Sequence, residues 1–219
     1  MSRIIVAAEL PTASSEARDE VIEALTKVSV FSKQHEQGVL NYMICVPTDT
    51  SDTTTVWAIE VYADKAALDA HMASDATKEL ISFMSTKSVL SGAPTIRQLS
   101  FLNDLDFVKP SAADQKDPLI VFADIQFSSG ERDGTLKYWK QNLESSKEES
   151  GCFVYGFAHD EAKPDTLYTL EVYVSEKYLW DVHIKAPAVQ ETIEKTKDLR
   201  TEMKLAKLQL KGGYVAKAA

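Results

Sequence analysis

Two stretches of the 219-residue chain set the same chemically capable residues at nearly the same spacing. "EVYADKAALDAH" runs from Glu60 to His71, and "EVYVSEKYLWDVH" from Glu171 to His183. Each is a strand-like Glu-Val-Tyr run that leads to a single histidine. Imidazole is the side chain that exchanges protons near neutral pH. A carboxylate between apolar neighbours must be paired or protonated if it is buried, which concerns Glu60 and Glu171. Tyr62 and Tyr173 can donate hydrogen bonds. The same residues also read as scaffold: a histidine fixed at a helix terminus, a structural ion pair, and aromatic side chains spent on core. His35 and His159 have no counterpart in the other stretch and are assigned no role.

The elements that must position these residues also occur twice. "RIIVAAELP" (residues 3–11) matches "PLIVFADIQF" (118–127) as a first strand. A helix follows in each half, with Val21, Leu25, Val28 and Phe31 on one stripe and Leu136, Trp139 and Leu143 on the other. Both helices run into acid-x-Gly, Glu36 to Gly38 and Glu149 to Gly151, where the glycines read as helix stops. Strands with Tyr42 and Tyr155 come next, then polar turns and third strands carrying Glu60 and Glu171. A broken helical region and a closing strand complete each half. The order is β-α-β-β-α-β twice, the ferredoxin-like split βαβ unit.

In the third strands Trp57, Ile59 and Val61 alternate with Val56, Ala58 and Tyr62, so both faces are apolar. Such a strand needs cover on two sides. The fold class expected is therefore α+β, with the two repeats packed sheet to sheet as a dimeric α+β barrel within one chain. Residues 1–104 form the first repeat, 105–117 the linker and 118–219 the second repeat. This arrangement leaves further pairing of two chains open.

Composition narrows the function. A formal charge of -9 without clustered Lys and Arg excludes nucleic acid as the main ligand. No apolar run is long enough for a membrane helix, and none resembles a signal peptide. Cys45 and Cys152, the only cysteines, sit in apolar strands and read as reduced buried thiols, so the expected location is cytoplasmic. No metal-like Cys/His spacing, phosphate-cradling glycine loop or nucleophile triad is present in the sequence.

The acid-x-Gly, Tyr42 and "EVYADKAALDAHMAS" series, repeated as acid-x-Gly, Tyr155 and "EVYVSEKYLWDVHIKAP", resembles the antibiotic biosynthesis monooxygenase domain of the dimeric α+β barrel superfamily. The resemblance covers nearly the whole chain outside the linker. Two copies in one chain are similar to fungal members, some linked to hydroxylation of small oxylipin-type hormones. The resemblance implies a ligand pocket between each sheet and its helices, and a cofactor-independent oxidoreductase with no metal, flavin or haem. A haem-degrading branch uses a histidine further along the second helix, where this chain has Phe83 and Ile193. The implied partners are O2 and a small hydrophobic cyclic substrate of the anthrone, quinol or oxylipin kind.

Triplet oxygen reacts readily with an electron-rich carbanion or phenolate, so such an enzyme needs a base, oxyanion donors and a dry chamber. His183 and His71 are the candidate bases. Tyr173 and Tyr62, or Tyr155 and Tyr42, are candidate donors, and Glu171 and Glu60 are candidate substrate contacts. Trp180, Trp57 and Phe157 would line the chamber. Twelve of the nineteen Phe, Tyr and Trp residues lie in 118–219, which favours a site in the second repeat. Aligning on the histidines sets Trp180 opposite Leu68. The alternative function is a non-catalytic small-molecule-binding or structural member of the superfamily.

Overall fold

The computed structural model describes residues 3–217, which fall into two compact units. In the first, β1 (Ile4–Pro11) pairs antiparallel with β3 (Thr55–Tyr62), and β3 with β2 (Val39–Pro47). Its three helices are α1 (Ser15–His35), α2 (Lys65–Ala73) and α3 (Asp75–Thr86). Each has a side-chain oxygen as N-cap, from Ser14, Asp64 and Ser74 respectively, accepting a backbone N–H of the first turn. The expected break in the second helical region is the shared Ser74, which ends α2 and caps α3.

The helix-facing side of the sheet carries Val56, Ala58 and Tyr62, packed with Val21, Leu25 and Val28 of α1. Glu60 shares that face by strand alternation, which places a carboxylate under the helices. Trp57, Ile59 and Val61 are buried on the opposite face.

The second unit repeats the plan, with β5 (Leu119–Phe127), β7 (Thr166–Tyr173) and β6 (Cys152–His159) in antiparallel order. Its helices are α4 (Arg132–Glu148), α5 (Glu176–Tyr178) and α6 (Pro187–Thr196). After α5 the chain makes a π-helical turn over Leu179–His183, with the Ile184 N–H bonded to the Leu179 carbonyl at 2.9 Å. Trp139, Leu143, Phe157, Leu167 and Tyr173 pack between sheet and helices.

The two long strands do not end within their own repeats. β4 (Thr95–Val108) begins in the first unit and from Ser100 belongs to the second, where it pairs with β6. β8 (Arg200–Tyr214) begins in the second and from Leu208 belongs to the first, where it pairs with β2. The eight-strand order β1-β3-β2-β8-β5-β7-β6-β4 closes as a barrel. The segment 105–117, expected as a tether, holds the end of β4 and a short 3-10 turn at Pro110–Asp114.

Gly38 and Gly151 do not have the left-handed backbone of a helix stop, since the glycines with positive φ are Gly130 and Gly213. Their role is close approach. A methyl group on Gly38 would lie 2.5 Å from the Ala67 Cβ in the first turn of α2, and one on Gly151 2.6 Å from the Tyr178 ring. The glycine lets the histidine-bearing segment settle onto the start of the second strand. Gly38→Ala, which meets a fixed Cβ, is expected to lose about 1–3 kcal/mol in urea unfolding. Gly151→Ala meets the end of a half-buried ring that can turn aside, so its loss is expected to be smaller.

Candidate active site

In the second unit the acid of acid-x-Gly and the histidine of the π turn meet. Glu149 is the residue that ends α4, and its carboxylate oxygens lie 3.0 and 3.2 Å from His183 Nδ1. His183 is only 2% exposed. A carboxylate accepts, so Nδ1 carries the hydrogen that faces Glu149, and whenever the ring is neutral its lone pair is on Nε2. No described residue hydrogen-bonds to Nε2.

Two tyrosines flank the imidazole, with ring centroids 4.9 Å away for Tyr173 and 5.5 Å for Tyr155. The Tyr173 hydroxyl donates to Glu171 Oε2 at 2.7 Å, and Thr169 Oγ1 donates to Glu171 Oε1 at 2.7 Å. The Tyr155 hydroxyl accepts from Asn142 Nδ2 at 3.1 Å. Burial raises the Glu171 carboxyl above its ordinary value, and His183 and the two hydroxyls only partly oppose it. Burial also pushes both phenols well up, so they are neutral donors.

His183, Glu171, Tyr155, Asn142 and Arg200 are the polar groups lining a cavity of about 210 Å³. Its remaining walls are apolar and include Trp139, Leu179, Trp180 and Val189. Trp180 is 44% exposed. Its indole N–H donates to Glu176 Oε1 at 3.2 Å, an oxygen that Lys207 also contacts. Phe157 lies deeper, packed edge-on to Tyr155 at 5.2 Å and tilted against Trp139 at 5.5 Å. Ile193 is a cavity wall, whereas Phe83 is packed against the first unit's core.

The first unit assembles the matching groups differently. His71, also 2% exposed, has Nδ1 2.8 Å from Glu36 Oε2, and Ser32 Oγ donates to that same oxygen at 2.5 Å. Its Nε2 is taken up by Thr77 Oγ1 at 3.1 Å, with Glu60 Oε2 at 3.6 Å. Tyr62 donates to Glu60, and Tyr42 stands 6.0 Å from the imidazole between ring centroids. Glu60 too is raised by burial. Trp57 does not join this group: it is on the other face of β3, and its indole lies under the Arg97 guanidinium at 5.6 Å.

Thr77 is the third residue after its helix cap Ser74, and Val189 is third after Ala186. A hydroxyl in one repeat is thus a methyl in the other. The register of the preceding segment differs from the histidine-based alignment. Leu68 and Leu179 are both buried, and each is four residues after its cap, Asp64 or Ser175. The π turn then adds one residue before His183, so Trp180 occupies the inserted stretch and does not replace Leu68.

Sequence reasoning missed the histidine partners Glu36 and Glu149, although an acid at one offset before both glycines was a signal. Asn142, Thr77 and Arg200 carried none, because their roles arise from side chains far away in sequence. Cys45 and Cys152 are buried free thiols, and burial holds both well up from reactivity. His35 is exposed and His159 half-buried. No helix among the described residues is long and apolar enough to cross a membrane.

The sequence pattern described as antibiotic biosynthesis monooxygenase matches residues 3–82 and again 118–195. The chain belongs to this family. Solved structures of similar build include a provisionally assigned monooxygenase from Lactobacillus acidophilus, 18% identical, with a TM-score of 0.79 over 99% of each chain. Another, from Fusobacterium nucleatum, is 19% identical with a TM-score of 0.81, over 97% of this chain and 96% of its own. An anthrone oxidase-like protein is 11% identical, with a TM-score of 0.64 over 100% of this chain and 96% of its own. At these identities the likeness shows the α+β fold. An uncharacterized Synechocystis protein is 29% identical over 83 residues, 38% of this chain and 56% of that protein, so the chain spans about half the length of that curated relative.

The raised Glu171 carboxyl has a stability signature. A folded-state acid held above its ordinary 4.5 keeps its proton longer than in the unfolded chain, so its contribution becomes unfavourable as pH rises from about 4.5. Glu171→Gln removes that dependence. Its stability relative to wild type, from urea unfolding at pH 5 and pH 8, is expected to be greater at pH 8. A pH-independent difference would mean that the carboxyl ionises as readily folded as unfolded.

Proposed function

We propose that this chain is a cofactor-independent monooxygenase that oxidises a small, electron-rich cyclic compound with O2, using a site in the second repeat. The observation that carries this reading is His183: Nδ1 anchored by Glu149, Nε2 without a partner among the described residues, and the ring in the wall of a largely apolar cavity. That is what a base requires, a fixed tautomer with its lone pair available.

In this mechanism Nε2 removes a proton from an activated C–H or O–H of the substrate, and Glu149 stabilises the imidazolium that forms. In this reading the Tyr155 hydroxyl, which accepts from Asn142 Nδ2, donates toward the developing oxyanion. The substrate anion transfers one electron to O2, and the radical pair combines to form a C–O bond. The imidazolium returns its proton to the peroxide. Where the oxygenated carbon carries a second hydrogen, loss of water leaves a carbonyl, so that a CH2 group and O2 become C=O and H2O. Apolar walls keep the anion from being reprotonated by solvent. An apolar cavity of about 150 Å³ accepts benzene, so the space of about 210 Å³ here admits a small cyclic compound.

The first repeat serves as scaffold in this reading. Thr77 occupies the nitrogen that a substrate would need, and the Glu36–His71–Glu60 network closes on protein groups. This is where the non-catalytic alternative has an observation behind it.

Oxygen uptake by the purified protein on a panel of quinols, anthrones and cyclic oxylipins tests the assignment. His183→Gln is expected to lower turnover on the order of 100-fold or more, and His71→Gln to leave it within about threefold. No uptake above a protein-free blank, or equal loss in the two variants, would contradict the proposal. Val189→Thr supplies the second repeat with the hydroxyl that Thr77 presents in the first. It is expected to lower kcat while the protein stays folded, and unchanged turnover would show that Nε2 is not the working atom.

A further inference from the structure

Arg200 is the one permanently charged cation among the described residues of the cavity wall, and its guanidinium is under-used. It opens β8, directly after α6 and a 3-10 turn at Lys197–Leu199, and is partly buried. Nε and Nη2 both donate to a single acceptor, Thr196 Oγ1, and Nη1 faces only the Met203 sulfur at 3.6 Å. The plane lies over the Trp139 ring, with Cζ 5.3 Å from the centroid. No carboxylate of the described residues pairs with it. Five N–H donors thus meet one oxygen and one poor acceptor.

Such an arrangement is costly if its only role is structural, because a partly desolvated cation is stabilised chiefly by a paired anion. The other polar groups of the cavity have partners of their own. Glu149 serves His183, and Glu171 accepts from Tyr173 and Thr169. Stacking on Trp139 and the Thr196 contact fix the orientation of the guanidinium without consuming its remaining donors. That pre-organisation suits a planar two-oxygen acceptor.

We propose that the second-repeat cavity takes a ring compound bearing a carboxylate, with Arg200 as the residue that selects the acid over neutral analogues. This deepens the site assigned above and rests on that cavity being the ligand site. The ring would lie against Trp139 and the aliphatic walls, with the carboxylate on Nη1 and the free Nη2 hydrogen. No group is transferred at Arg200.

Binding to the whole, unmodified chain tests the idea without turnover. Quenching of tryptophan fluorescence, with Trp139 and Trp180 in the wall, is titrated with 2-naphthoate and with the nearly isosteric neutral 2-naphthamide. Wild type is expected to prefer the acid on the order of tenfold or more. Arg200→Met should abolish that preference while leaving naphthamide affinity within about twofold, and Arg200→Lys should retain part of it. Equal affinity of wild type for acid and amide, or no saturable binding of naphthoate, overturns the proposal and needs no variant to fold. Parallel weakening of both ligands in Arg200→Met, with the far-UV spectrum intact, also overturns it and makes the guanidinium a support for Trp139. Oxygen uptake is not read here, so acid selection and oxygenation fail or hold separately.

Discussion

A carboxylate at the end of one helix holding an imidazole on the next segment is the contact around which each unit is arranged. A buried carboxylate is tolerated only when paired, and here the pair ties the first helix to the histidine-bearing segment across a span of more than thirty residues. For the carboxylate and ring to meet, the chain between them must bring that segment down onto the second strand. Gly38 and Gly151 stand at the point of nearest approach. The third strand then places a second carboxylate, Glu60 or Glu171, under the same ring. An acid, a glycine, a Glu-x-Tyr strand and a histidine are therefore parts of one packing solution, used twice.

Duplication makes the divergence between the copies readable. With the carboxylate–imidazole contact preserved, small changes around the free nitrogen decide what the site can do. Thr77 closes the first copy, whereas Val189 leaves the second without a competing acceptor or donor. The π turn over Leu179–His183 adds a residue without displacing the histidine, and the extra length carries Trp180 to the cavity wall beside solvent. Such turns cost hydrogen-bond regularity and persist where the altered side-chain direction is useful. The second copy thus combines the same anchor with an apolar space, and the first uses it to fasten its helices.

The exchange of closing strands gives this divergence a stable setting. Each unit's sheet is completed by a segment whose chain continues from the other repeat, at Ser100 in β4 and Leu208 in β8. Arg200 reaches the second cavity from the beginning of β8, before that strand passes on to pair with β2.

Periodicity alone determined the repeat, the order of strands and helices, and the face on which Glu60 and Glu171 lie, because a strand's two-residue alternation and a helix's stripe are local properties. The buried state of Cys45 and Cys152, the break in the second helical region and the aromatic bias toward the second half were legible on the same grounds. Tertiary structure decided what local pattern cannot encode: that Glu149 and Glu36 hold the histidines, that Thr77 meets Nε2 where Val189 cannot, and that Arg200 enters the cavity wall. It also reassigned Gly38 and Gly151 from helix stops to points of close approach, since a glycine's sequence signal is the same for either use. The physical reason is that hydrogen bonds and desolvation act between atoms a few ångströms apart, whatever their separation along the chain, and one inserted residue in a π turn is enough to change which side chain arrives.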